Sequence, residues 1–100
     1  MLTLALRDFE EARARIAPHI KHTPLLGSRQ LSERTGHEVR LKAELFQRVG
    51  SYKIRGPLNK FALMPEEQKK RGVVCSSAGN HAQGVALAAL IHGKIGRAHV

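Results

Sequence analysis

The stretch from Ala82 to Ile91 carries no charge and is strongly apolar through Val85, Leu87, Leu90 and Ile91. It follows Val73-Val74-Cys75, a short β-branched run suited to a buried strand, and the small-residue loop Ser76-Ser77-Ala78-Gly79-Asn80. Strand, loop and apolar helix in that order favour an α/β design over an all-helical or all-strand one.

The residues upstream extend this pattern. Over residues 8–17, Phe9, Ala12, Arg13 and Ile16 fall near a 3.6-residue period, which predicts an amphipathic helix; Pro18 ends it. Ser28 caps a second short helix over 29–34, which Gly36 stops. Val39, Leu41 and Ala43 alternate with Arg40 and Lys42, so 38–43 reads as a strand, followed by a loop over 46–50. Ser51 then caps a helix running to about residue 64. Pro65-Glu66-Glu67 opens another, because proline and acids suit a first turn. The order is helix, helix, strand, helix, short helix, strand, helix, an α/β class with parallel strands.

The net charge of +9 does not point to nucleic acid. The seventeen Lys and Arg residues are dispersed, and the densest group, Lys69-Lys70-Arg71, sits beside Glu66 and Glu67 where cations complement a helix dipole. No aromatic-interleaved basic strip is present, and no apolar run nears the roughly 18 residues that suggest a membrane span. Asp8, Glu10 and Glu11 argue against a secretory signal. Cys75 is alone, so no internal disulfide can form, which fits a reducing, cytoplasmic setting. It reads as a small core residue. His19, His22 and His81 lack the spacing of a metal site, and no metal is expected.

The chemistry concentrates in Ser51-Tyr52-Lys53-Ile54-Arg55-Gly56 and in the stretch 76–84. A lysine beside an aromatic at the mouth of a helix suits an enzyme that holds an aldehyde cofactor as an imine, which points to pyridoxal phosphate. Such a lysine must be partly neutral, and the positive helix end together with Arg55 is expected to lower its pKa. Tyr52 offers a ring for the cofactor, although adjacent helical residues diverge by about 100° and are not expected to point the same way. In the second stretch, backbone N–H groups and hydroxyls converge at a helix start, a place for a substrate carboxylate. Asn80 adds an amide for a phenolate oxygen. The spacing is not a dinucleotide fingerprint. Each motif alone also fits a plainer reading: a solvent-facing helical lysine, and a capped helix whose small residues allow close packing.

Together with His22-Thr23-Pro24-Leu25-Leu26 and Leu41-Lys42-Ala43-Glu44, these motifs resemble the amino-terminal part of the fold-type II pyridoxal phosphate enzymes (tryptophan synthase beta-like), specifically the threonine/serine dehydratase and serine racemase group. The resemblance runs from about Phe9 to Gly93. It implies a parallel sheet with flanking helices, incomplete in this chain, in which Lys53 is the catalytic lysine that carries the internal aldimine and shuttles the α-proton. It further implies that Tyr52 packs on the pyridine ring, that Ser77, Gly79, Asn80 and His81 receive the substrate carboxylate, and that Asn80 lies near the phenolic oxygen. The implied reaction is α,β-elimination of L-threonine or L-serine to a 2-oxo acid and ammonia, in a full-length homo-oligomeric parent acting on a small amino acid. Sibling activities are serine racemase and hydroxyaspartate dehydratase; a basic nucleic-acid-binding module is the reading from another class. A carboxy-terminal regulatory domain in the parent would favour biosynthetic threonine deamination, as in isoleucine biosynthesis.

Three departures qualify the resemblance. Ala78 stands where the racemases resembling this group carry a serine, which favours elimination over racemisation. Pro57 stands where alanine is usual and is expected to kink the Lys53 helix. The glycine-rich phosphate cradle, the partner of the pyridine nitrogen and the acidic metal ligands of some members would all lie beyond residue 100, so the chain alone is expected to be inactive and poorly folded. Residues 1–93 then form the enzyme segment. The tail 94–100 resembles a translated sequencing-library adapter and is expected to be non-native.

Overall fold

The computed structural model describes residues 2–93 and the backbone of 96–99. Of the expected tail, 94, 95 and 100 lie outside the described residues, and of 96–99 the backbone is described.

Helix α1 (Leu6–Ile16) starts two residues earlier than its apolar period suggests, because the Asp8 carboxylate reaches back to accept from the Ala5 N–H at 2.7 Å. Arg7, Glu11 and Arg15 form an exposed ion-pair ladder along it. A 3₁₀ turn at Ala17–His19, carrying Pro18, closes the helix. Strand β1 (Leu25–Gly27), helix α2 (Arg29–Thr35) and strand β2 (Arg40–Lys42) follow. Helix α2 is capped as its sequence dictates: Ser28 Oγ accepts from the Leu31 N–H, and Gly36 ends it in the left-handed region at φ 71°.

β1 is absent from the sequence reading, since three residues are too few to show alternation. It pairs antiparallel with β2, with Leu26 opposite Leu41, so the all-parallel expectation fails for this ribbon. The expected strand 38–43 shrinks to its centre because Ala43 already turns away at ψ 66°. The loop expected over 46–50 is instead part of two 3₁₀ turns, Glu44–Phe46 and Arg48–Gly50.

A third such turn, Tyr52–Ile54, leads directly into α3 (Arg55–Leu63). Pro57 is only the third residue of α3, a first-turn position where proline costs α3 no internal bond, so the kink expected of it is not required within α3. Helix α4 (Glu66–Lys70), strand β3 (Val73–Ser76), helix α5 (Asn80–Ile91) and strand β4 (Gly96–His99) complete the chain. β3 and β4 pair in parallel, although β4 falls in the segment expected to be a non-native tail, where no strand was expected. β3 is not buried throughout: Val73 and Cys75 face the core while Val74 is 76% exposed.

The core is a helical seam. Ile16 of α1, Ile54, Leu58 and Phe61 around the start of α3, and Val85, Ala88 and Ala89 of α5 pack together. Ile54 and Leu58 are the large side chains taken wholly out of water. Small residues at 84, 88 and 89 let α5 approach α3 and the turn before it closely, so the seam is built around the residue that precedes Ile54.

Candidate active site

Lys53 is placed by backbone devices on both sides. Val49 and Gly50 take successive left-handed conformations, φ 58° and 72°, after which Ser51 is extended. This reversal delivers Ser51 to the start of the turn, where its Oγ accepts the Lys53 N–H at 3.2 Å. On the other side Ile54 is sealed in the core. The expected cap by Ser51 is present, but Lys53 sits in a 3₁₀ turn and not in the first turn of an α-helix.

The Lys53 side chain, half-buried, borders a cavity of about 430 Å³ whose walls include Tyr52, Phe61, Cys75, His81 and Val85. The ammonium lies 6.0 Å from the Tyr52 ring centroid. Tyr52 and Lys53 therefore reach one space after all, because long side chains reconverge beyond diverging Cβ atoms. No carboxylate pairs with Lys53 among the described residues. A free primary amine and a phenol ring on a largely apolar cavity fit an aromatic aldehyde cofactor.

Arg55 does not act as the free cation expected beside Lys53. Its Nε donates to Glu44 Oε1. The same carboxylate accepts from Thr23 Oγ1 at 2.6 Å and from Gln47 Nε2 at 3.4 Å. The Arg55 hydrogen bond leads the effects that hold the Glu44 carboxyl at about 2, with Thr23 and Gln47 adding to it against the opposing effect of burial. Gln47 is buried and bonds both the Lys21 N–H and carbonyl, at 2.9 and 2.8 Å, and Lys42 Nζ donates to the Thr23 carbonyl at 2.7 Å. The segments around Thr23 and Glu44, to which the sequence assigns no role, thus tie the start of α3 to the rest of the molecule. Their matching polarity at distant positions is the only sequence signal of this.

The second motif occupies the loop after β3 and the start of α5. The Gly79 N–H donates to Ser77 Oγ at 3.2 Å, an internal turn, and no side chain caps α5. Gly79, Asn80 and His81 are exposed and Ser77 half-buried. Of these four, His81 lines the Lys53 cavity; Ser77, Gly79 and Asn80 stand at the uncapped helix end beside it. Cys75 lines the cavity from β3. His92, at the far end of α5, has a buried Nε2 without a hydrogen-bond partner among the described residues. Burial, then Lys69 and His19, lower its pKa.

A family model described as pyridoxal-phosphate dependent enzyme matches residues 16–99. The chain is 53% identical over 90 residues to an L-threonine ammonia-lyase of Thermotoga maritima, covering 90% of this chain and 22% of that protein. It is 50% identical over 91 residues to the catabolic L-threonine dehydratase TdcB of Staphylococcus aureus, covering 26% of it. The chain thus spans about a quarter of the length of these curated relatives. Among solved structures, maize serine racemase superposes with a TM-score of 0.84 at 38% identity, over 97% of this chain and 30% of that one. A threonine deaminase from T.th. gives 0.75 at 43% identity, over 95% and 33%. The amino-terminal fold-type II architecture expected from the motifs is the architecture observed, and pyridoxal phosphate is the family's cofactor.

Proposed function

Because the chain belongs to the pyridoxal-phosphate dependent enzyme family, we propose that it is the amino-terminal part of a threonine/serine dehydratase whose parent converts L-threonine or L-serine to a 2-oxo acid and ammonia. The observation that carries this reading is the Lys53 amine, unpaired among the described residues, beside Tyr52 on an apolar-walled cavity. Identities of 53% and 50% to an ammonia-lyase and a dehydratase of threonine support the substrate class.

Pyridoxal phosphate, when bound, supplies an aldehyde that condenses with amines and a ring that accepts the electrons released at the substrate α-carbon. Lys53 would hold that aldehyde through its Nζ, and the same amine, once free, would take the substrate α-proton. The α-proton and the β-hydroxyl lost together amount to one water, and hydrolysis to the 2-oxo acid and ammonia would consume one water in turn. Tyr52 would cover the ring. The N–H groups at the start of α5, with Ser77, Gly79, Asn80 and His81, would hold the substrate carboxylate, and the Asn80 amide would hydrogen-bond the cofactor's phenolic oxygen. The parent is cytoplasmic and homo-oligomeric and uses no nucleic acid. Residues 94–100 are non-native; an intact genomic frame running through those codons would overturn that part.

Borohydride reduction of the cofactor-loaded parent, followed by peptide mapping, tests the assignment. The expected label is on Lys53, and Lys53→Ala abolishes 2-oxo acid release; a label on another lysine overturns the reading. The isolated chain is expected to show neither a cooperative melt nor the cofactor's visible absorption band.

The overlap with maize serine racemase favours racemisation as the second reading. Ala78 opposes it, since a methyl group cannot donate a proton to the second face of the α-carbon. Rapid racemisation of L-serine by the parent, lost on Lys53→Ala, would reverse the order of the two.

A further inference from the structure

Gly84 is buried within α5 directly beneath the Lys53 turn. A Cβ at Gly84 would overlap the Lys53 carbonyl oxygen and stand 2.8 Å from its carbonyl carbon and 3.2 Å from the Ile54 nitrogen. All three are backbone atoms, so no rotamer change relieves the overlap. At Gly56 and Gly79, the other glycines of the two motifs, a Cβ would meet nothing within 4 Å. The Lys53 carbonyl also receives no donor from the residue four positions on, because that residue is Pro57.

Three other restraints act on the turn and its flanks. Ser51 Oγ holds the Lys53 N–H, the Glu44–Arg55 pair holds the start of α3, and Ile54 is locked in the seam. How deeply the turn seats on α5 is set at position 84.

We propose that Gly84 is a positioning residue for the Lys53 amine: the missing Cβ fixes the depth of the Tyr52–Ile54 turn on α5 and hence where Nζ enters the cavity. The proposal rests on the reading of Lys53 as the cofactor lysine. It makes the second motif a support for the first as well as a place for substrate. An alanine at 84 must drive the turn back by about 1 Å to restore ordinary contact, and a misplacement of that size costs roughly 100-fold in rate.

The test compares Gly84→Ala with Ala88→Gly in the cofactor-loaded parent. Ala88 lies on the same helix and is equally buried, but its truncation adds no atom against Lys53. Gly84→Ala is expected to lower kcat about 100-fold with KM changed only a few-fold. It should also alter the visible absorption of the lysine-bound cofactor and displace the Lys53 Cα in a crystal structure. Ala88→Gly is expected to lower the melting temperature while leaving kcat and absorption unchanged. Wild-type kcat and absorption in Gly84→Ala, an undisplaced Lys53, or parallel losses in both variants would overturn the proposal.

Should Gly84→Ala not fold, the wild-type parent structure decides. A Lys53 carbonyl more than about 4 Å from the Gly84 Cβ position means no contact and overturns the proposal, and retention of the close approach supports it. A wild-type parent with no cofactor on Lys53 would defeat the proposed function separately, and the Lys53 displacement would still decide the role of Gly84.

Discussion

The α1–α3–α5 seam and the β1–α2–β2 lobe are both regular, and they are held by different forces. In the seam Ile54, Leu58, Phe61, Ala88 and Ala89 are out of water. From residue 24 to residue 42 the lobe has no buried side chain. Its order comes from the β1–β2 ladder, the Ser28 cap, Thr35 Oγ1 bonding the Leu31 carbonyl at 2.8 Å and the Val39 N–H bonding Ser32 Oγ at 2.9 Å. Burial resists displacement in every direction, while a ladder and caps fix shape without fixing place. The lysine proposed to hold the cofactor sits on the seam, and Glu44 links the two regions by bonding Thr23 and Arg55 at once.

Substitutions in the parent protein can break this contrast. Leu58→Ala, in the seam, should cost about 2–5 kcal/mol in denaturant unfolding; a loss under about 1 kcal/mol would mean the seam is not the organising core. The Glu44 network ranks next. Its folded pKa of about 2 lies below the ordinary 4.5, so its contribution is complete above pH 4.5 and is lost as pH falls toward 2. The full size is about 3 kcal/mol, and Glu44→Gln should flatten that part of the acid-unfolding curve. Ser28→Ala removes the α2 cap and should cost about 1 kcal/mol, loosening the lobe with no effect on the cofactor attachment proposed for Lys53. Leu41→Ala, half-exposed on the ribbon, should change stability by about 0.5 kcal/mol or less. A Leu41→Ala effect as large as that of Leu58→Ala would show that another surface covers the lobe in the parent.

Local chemistry is legible in the sequence. Ser28 and Gly36 bound α2, Ser51 caps the Lys53 turn, and the apolar run after Asn80 is a helix, because each depends on near neighbours. What escapes depends on contacts between distant segments. β1 exists because β2 lies beside it. Arg55 reads as a free cation until the chain brings Glu44 to it. Gly84 reads as one more small residue until α5 meets the Lys53 carbonyl. The lysine proposed to hold the cofactor is therefore readable from its motif, whereas the parts that hold it still are readable only from the fold.

Val49 carries a consequence for local opening. A β-branched side chain at φ 58° stores about 1–3 kcal/mol that neighbouring packing must restrain. When that packing loosens, the peptide gains by relaxing there first, so the Gly50 and Ser51 amides should exchange with deuterated solvent ahead of those in α3. The hinge that places the Lys53 amine is then also the seam's earliest point of release.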